Sequence, residues 1–234
     1  MSAPLLNVSN LHAWYGESHV LHGVDLHVNE GEMICILGRN GMGKTTTLRT
    51  IMGLLRKRSG RIEFAGRDMM SVPLHKTARA GLGFIPEERG IFATLSVEEN
   101  LMLPPKVAEG GMSVEEIYEL FPNLAERRNS PGTKLSGGEQ QMLAIARILR
   151  TGARCLLLDE PTEGLAPVII QAIGELLVKL KQRGMTVVLV EQNFRFAAKV
   201  ADRFYLMDHG QMIAEFPVSD LPQQMDMLHR ELGV

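Results

Sequence analysis

The stretch Met33-Ile34-Cys35-Ile36-Leu37-Gly38-Arg39-Asn40-Gly41-Met42-Gly43-Lys44-Thr45-Thr46-Thr47-Leu48 decides the fold. Its first five residues are continuously apolar, the pattern of a strand covered on both faces. Glycines follow at once, and from Lys44 to Leu54 the residues read as a helix with Leu48, Ile51 and Leu55 as its apolar stripe. Between strand and helix, Gly38–Thr45 matches the phosphate-binding loop. The glycines let the backbone curl so that successive N–H groups face a phosphate, and the helix adds the partial positive charge of its N-terminus. Gly38, Arg39, Asn40, Gly41, Met42, Gly43, Lys44, Thr45 and Thr46 are the expected nucleotide cradle. Within it Lys44 reaches the β- and γ-phosphates and the Thr45 hydroxyl serves Mg²⁺.

A second element lies far along the chain. Leu156-Leu157-Leu158-Asp159-Glu160 is an apolar strand that delivers two acids at its C-terminal end, where ligands sit in open α/β sheets. Asp159 is expected to bind Mg²⁺ through water, and Glu160 to polarise the water that attacks the γ-phosphate.

The rest of the chain supplies an α/β frame. Leu5–Asn10 and Val20–Val28, split by turns, suggest an antiparallel edge sheet, and Gly60–Ala65 and Gly81–Pro86 suggest further strands. His75–Ala80 reads as a short helix. From about 93 to 150 the character is helical. Ser96 to Glu99 and Ser113 to Glu116 have capping-box spacing, so each should start a helix. Beyond this, Arg154–Asp159 and Thr186–Val190 read as strands, Pro167–Arg183 and Phe194–Ala201 as helices. Phe204–Met207 and Gln211–Glu215 read as closing strands, and Asp220–Leu232 as a short helix. The expected architecture is α/β: a P-loop NTPase core with a mostly parallel sheet, an N-terminal antiparallel β subdomain and an inserted helical subdomain. One domain should span 1–234, with its core at about 1–92 and 151–234 and the helical insertion at about 93–150.

Composition narrows the function classes. The 234 residues carry 25 basic and 27 acidic side chains, net −2, so bulk charge gives no case for nucleic acid. An apolar share of 45% supports a core. Cys35 and Cys155 sit in apolar runs and read as core thiols. The sequence shows no signal peptide and no run of about 20 apolar residues, so a membrane role would need a separate membrane partner. His12, His19, His22, His27 and His75 show no ligand spacing.

Leu135-Ser136-Gly137-Gly138-Glu139-Gln140 turns a general P-loop reading into a particular one. It resembles the signature of ATP-binding cassette (ABC) proteins, placed before a helix that leads to the acidic strand. The resemblance covers nearly the whole chain and implies a Mg-ATP-hydrolysing, energy-coupling subunit. It implies that Tyr15 stacks on adenine, with packing the plainer alternative and Trp14 the better packing candidate. It implies that Ser136, Gly137, Gly138 and Glu139 meet the nucleotide of a second cassette across a head-to-tail dimer. Glycines at a helix start can expose N–H donors, and Ser136 adds a hydroxyl.

Within the family the chain is most similar to ATPases of branched-chain amino acid importers, on Gly38–Gly41, Pro86–Arg89, Val97–Leu101, Glu160–Pro167 and Val190–Asn193. Relatives of similar sequence serve urea, short amides or aromatic acids, and a soluble cassette protein that remodels other molecules without transport is the further alternative. This likeness implies two integral-membrane permeases, a periplasmic or extracellular solute-binding protein, and a peripheral place on the cytoplasmic face of the bacterial inner membrane. Three positions depart from the general cassette pattern. Glu87 stands where a metal-binding glutamine is usual, and a carboxylate can take that role. Gln192 stands at the switch histidine and can donate a hydrogen bond without carrying charge. Ala166 replaces an aspartate that reaches across the dimer. These departures imply a different chain as partner cassette and two ATP sites of unequal rate. Segment Glu88–Pro105 is the expected contact with a membrane subunit.

Overall fold

The computed structural model describes residues 3–233. Two antiparallel strands, β1 (Leu6–Tyr15) and β2 (Ser18–Val28), open the chain and are followed by β3 (Met33–Leu37) and α1 (Lys44–Ile51). Next come β4 (Arg58–Phe64), β5 (Arg67–Asp68), the single turn α2 (Leu74–Thr77) and β6 (Leu82–Ile85). A helical stretch holds α3 (Val97–Met102), α4 (Val114–Leu120), α5 (Pro122–Glu126) and α6 (Gly137–Leu149). The chain closes with β7 (Cys155–Asp159), α7 (Pro167–Gln182), β8 (Thr186–Glu191), α8 (Phe194–Ala197), β9 (Arg203–Asp208), β10 (Gln211–Pro217) and α9 (Met225–Leu232).

The strands make two sheets. One is four-stranded, in the order β2-β1-β4-β5, with every pairing antiparallel. The other runs β10-β9-β3-β8-β7-β6, parallel throughout except for the antiparallel edge strand β10. The fold is therefore the α/β P-loop architecture read from the sequence, with its antiparallel β region and its helices.

The continuous apolar strands follow from burial on both faces of the six-stranded sheet. Met33, Cys35 and Leu37 of β3 belong to the cluster that also holds Leu156, Leu158, Leu143, Leu101 and Leu177. Ile34 and Ile36 face the other way, into a cluster with Leu48, Ile51, Leu157 and the antiparallel sheet's Leu6, Leu11 and Leu21. Successive side chains alternate between faces, so a strand between two cores has no polar phase to show. Cys35 and Cys155 fall on opposite sides, both buried and free. Burial pushes the Cys155 thiol up to about 12.

Both expected capping boxes form: Ser96 and Glu99 start α3, and Ser113 and Glu116 start α4. Three element limits differ from expectation. α1 stops at Ile51 because Gly53, at φ 80°, turns the chain. The helix expected over Phe194–Ala201 is α-helical only to Ala197, and Val200 and Ala201 continue as turns bonded to the Ala197 carbonyl. The segment expected as one helix over Asp220–Leu232 begins as 3₁₀ turns over Val218–Gln224, where Pro222 supplies no N–H, and becomes α9 only at Met225.

Candidate functional site

The parallel strands all point their C-terminal ends at one place. β3 ends at the glycine loop, β7 at Asp159 and Glu160, β8 at Glu191 and Gln192, and β6 at the turn carrying Glu87. A pocket of about 300 Å³ opens there, lined by Asn40, Gly41, Gly43, Lys44, Thr45, Thr46, Glu87 and Glu160. Larger clefts lie elsewhere, but this one gathers a cation, carboxylates and a helix N-terminus.

Gly43 is the residue before α1 and has φ 108°, a conformation that side chains rarely adopt. No side chain caps this helix; the first bond of its ladder is Thr47 N–H to the Gly43 carbonyl at 2.9 Å. The N–H groups of Lys44, Thr45 and Thr46 precede that bond and have no carbonyl four residues back within the helix, so they remain donors for an outside anion.

Lys44 is 3% exposed, and its ammonium donates to the carbonyls of Gly38 (2.8 Å) and Arg39 (2.9 Å). It also pairs with Glu160 Oε1 at 3.0 Å. Glu160 takes a second hydrogen bond on Oε2 from the Gln192 amide at 2.8 Å. The same Gln192 nitrogen donates to Asn40 Oδ1 at 2.7 Å. Glu160 itself sits at φ 44°, a strained backbone for a non-glycine, held by its N–H to the Val190 carbonyl at 3.0 Å. Lys44, Glu160, Gln192 and Asn40 thus form one network assembled from three separate loops.

Asp159 is fully buried. Its Oδ1 accepts the Thr45 hydroxyl at 2.8 Å, while its Oδ2 is buried with no partner. Burial pushes the carboxyl up to about 6, with Glu160 adding to the rise and the Thr45 bond opposing it. An orphaned buried carboxylate oxygen beside a hydroxyl is a donor set suited to a hard dication. Among the described residues no three His, Cys, Asp or Glu side chains converge as a preformed metal centre. Mg²⁺ takes one or two protein oxygens and completes its shell with waters and phosphates. Thr45 and Asp159 fit that ion, with Glu87 at the pocket rim.

Other expected site residues lie differently. Arg39 contributes its carbonyl to Lys44, but its guanidinium turns away and donates to the Glu231 and Arg230 carbonyls (2.7 and 2.9 Å) at the end of α9. Met42 also turns out of the pocket: it packs on the second core, and its sulfur accepts the His209 N–H. Gly38 is buried behind the loop, where an added Cβ would strike the Met207 carbonyl at 2.6 Å. Tyr15 lines a separate cleft of about 590 Å³ with Trp14, Arg49, Leu54 and Lys57. The two share no lining residue, but both border α1, which gives Thr45 to the phosphate pocket and Arg49, one turn on, to the cleft. Trp14 is stacked on His19, with ring centroids 4.3 Å apart.

The signature residues Ser136, Gly137, Gly138 and Glu139 do not line the phosphate pocket of their own chain. They start α6, and there the sequence reading missed a third capping box. Ser136 Oγ accepts the Glu139 N–H (3.3 Å) and Glu139 Oε2 accepts the Ser136 N–H (2.8 Å). The Ser-x-x-Glu spacing was the available signal. Glu139 is further held near Arg127 at 3.7 Å. Gly138 is needed for packing, since an added Cβ would lie 2.5 Å from Ile169.

Comparison with known proteins shows the family. The ABC transporter family profile matches residues 21–163. The high-affinity branched-chain amino acid transport ATP-binding protein BraG of Pseudomonas aeruginosa is 40% identical over 212 residues, covering 89% of this chain and 91% of that protein. The lipopolysaccharide export system ATP-binding protein LptB of Escherichia coli K12 is 34% identical over 234 residues, 97% of each. Among solved structures, a nucleotide-free ATP-binding cassette from an ABC transporter superposes with TM-score 0.84 at 24% identity over 99% of both chains. A dimeric cassette in a post-hydrolysis state bound to ADP and Pi superposes at 0.79, with 26% identity, over 91% of this chain and 98% of that one.

Proposed function

The chain belongs to the ABC transporter family as an ATP-hydrolysing subunit, and we propose that it energises an importer of branched-chain amino acids or closely similar small solutes. The observation that carries the chemistry is the meeting of Lys44, Thr45 and Glu160 in one pocket, with Asp159 bonded to the Thr45 hydroxyl behind it. The observation that carries the solute is the 40% identity to BraG against 34% to LptB.

In this reading the free N–H groups at the start of α1, with Lys44, hold the β- and γ-phosphates of ATP. Glu160 accepts a proton from the water attacking the γ-phosphorus, as the bond from that phosphorus to the bridging oxygen breaks and ADP and phosphate form. Gln192 orients Glu160 through its amide, and Asn40 orients Gln192. Thr45, Asp159 and Glu87 would hold Mg²⁺, whose charge offsets that of the phosphates. Tyr15 offers its ring to adenine. Ser136, Gly137 and Gly138 serve the nucleotide held by a second cassette, a different chain in the cell, and Glu139 orders that helix start. Ala166 would leave the contact between cassettes weaker than an aspartate would, and the two ATP sites turn over at different rates.

Two permeases and a solute-binding protein complete the assembly, and nucleic acid has no part in it. No helix among the described residues is long and apolar enough to cross a membrane. In this reading the permeases hold the chain as a peripheral subunit on the cytoplasmic face of the inner membrane. The exposed Phe92, Met102 and Leu103 within Glu88–Pro105 are where a permease would dock. The loop they follow is bonded to both parts of the chain. Glu88 meets Arg49 of α1 at 3.5 Å, and Arg89 donates to Gln140 of α6 at 3.1 Å. Region 93–150 therefore acts as a helical subdomain that follows the nucleotide through this loop. The test is ATPase activity of the complex reconstituted with permeases and binding protein. Stimulation by leucine, isoleucine or valine is expected. Stimulation by urea, amides or aromatic acids would move the solute, and stimulation by lipopolysaccharide would overturn import.

A further inference from the structure

Glu191 ends β8 and is buried at 3% exposure, one residue before Gln192. It is not among the residues that line the phosphate pocket, and its bonds go to Thr162 and to the backbone beyond it. A carboxylate in such a place is costly unless donors surround it. Four do. Oε1 accepts the Thr162 hydroxyl at 2.7 Å and the Thr162 N–H at 3.3 Å. Oε2 accepts the N–H groups of Gln192 (3.2 Å) and Asn193 (3.4 Å). Thr162, itself 5% exposed, lies two residues beyond Glu160, inside the turn closed by Glu163 N–H to the Glu160 carbonyl at 3.1 Å.

We propose that Glu191 is a positioning residue for ATP hydrolysis, its carboxylate clamping the turn that carries Glu160 to the turn that carries Gln192. The contacts close a ring: Glu160 Oε2 to the Gln192 amide, Gln192 N–H to Glu191, Glu191 to Thr162, and Thr162 back along the chain to Glu160. Glu160 needs such support because its φ of 44° is not one it would keep unaided. Without the clamp, Glu160 N–H to the Val190 carbonyl and the Gln192 amide to Glu160 Oε2 still join the two turns, but Thr162 loses its tie to the turn that carries Gln192. Burial pushes the Glu191 carboxyl up to about 7, against the Thr162 and backbone donors that favour its ionised form.

This inference rests on the ATPase reading above, and the experiment separates the two. The full-length chain is assayed for steady-state Mg-ATP hydrolysis as wild type, Glu191→Gln, Thr162→Val, the double variant and Thr162→Ser. The first two should each lose about 10- to 100-fold in kcat, the scale of a small misplacement of reacting groups. Their KM for ATP should stay within about 2-fold, because the phosphate cradle is untouched. The double variant should be no slower than Glu191→Gln, since both remove one contact. Thr162→Ser keeps the hydroxyl and should recover most of the rate lost in Thr162→Val, which covers the case of a Glu191 variant that does not fold. Unchanged kcat, a loss carried by KM, multiplicative losses in the double variant, or failure of Thr162→Ser to recover rate would each overturn the proposal. A wild-type chain that neither binds nor hydrolyses Mg-ATP would overturn the ATPase reading instead.

Discussion

Two helices of this molecule start at or just after a glycine and yet present opposite chemistry. α1 starts after Gly43 with no side-chain cap, its first N–H groups opening on a pocket and its Lys44 buried among carbonyls and Glu160. α6 starts at Gly137 and is capped by its own Ser136 and Glu139. The first helix leaves its donors to an outside anion, and stability is given up to keep them free. The second has used its N3 donor and the Ser136 N–H internally, keeping only the N–H groups of Gly137 and Gly138 and the Ser136 O–H proton. The phosphate loop is thus a binding site by itself. The signature is a stable helix start that can add a few contacts to a ligand held by another chain.

The strongest challenge to that contrast is at the first helix. Lys44→Ala should abolish ATP binding. Glu160→Gln should keep binding while turnover falls about 10²- to 10⁴-fold, measured by filter binding and phosphate release. If either variant hydrolysed ATP normally, α1 would not be the chemical end. At the second helix, Ser136→Ala should cost about 1 kcal/mol of stability through the lost cap and about 10²-fold in turnover of the assembled dimer. Ser136→Asp sharpens the point: it can keep the cap and the melting temperature while turnover stays low, because no hydroxyl donor remains. Full activity in Ser136→Asp would reduce the signature to a cap.

Smaller effects concern stability alone. The Glu191 carboxyl titrates near 7 in the fold and near 4.5 when exposed. Between those values the folded chain binds more protons than the unfolded chain, so this group's contribution falls as pH rises from about 4.5 to about 7 and is constant above. Relative to wild type, Glu191→Gln should therefore melt progressively higher across that window, by a few degrees, as followed by calorimetry. A difference independent of pH would place the buried charge elsewhere. Last, Ala166 occupies the N-cap position of α7 without a capping side chain. Ala166→Asp should add about 1 kcal/mol in urea unfolding, bringing α7 into the self-capped class with α3, α4 and α6.

How much was legible in the sequence follows from how the chemistry is written along the chain. Gly38–Thr45 and Leu156–Glu160 are contiguous, and each combines an apolar strand with the residues it delivers, so fold and site appear together. Contiguity also misleads. Arg39 and Met42 sit inside the loop, yet their side chains leave it for α9 and the core, because alternate residues of a tight turn point different ways. The Ser136–Glu139 box was readable from spacing, but the glycines between drew attention to a ligand first. Asn40 to Gln192 and Thr162 to Glu191 span 152 and 29 residues, and no local pattern brings such partners together. Their contacts come from strand order, since β8 lies between β3 and β7.

The placement of the two thiols gives the molecule a pair of internal reporters. Cys35 looks into the compartment shared with the helical stretch, and Cys155 into the one shared with the antiparallel sheet. A thiol reagent can reach either only when the layer over that face lifts. Labelling each in a single-cysteine background would therefore time the loosening of the two halves separately, and ATP should slow the two reactions unequally if one half moves more freely than the other.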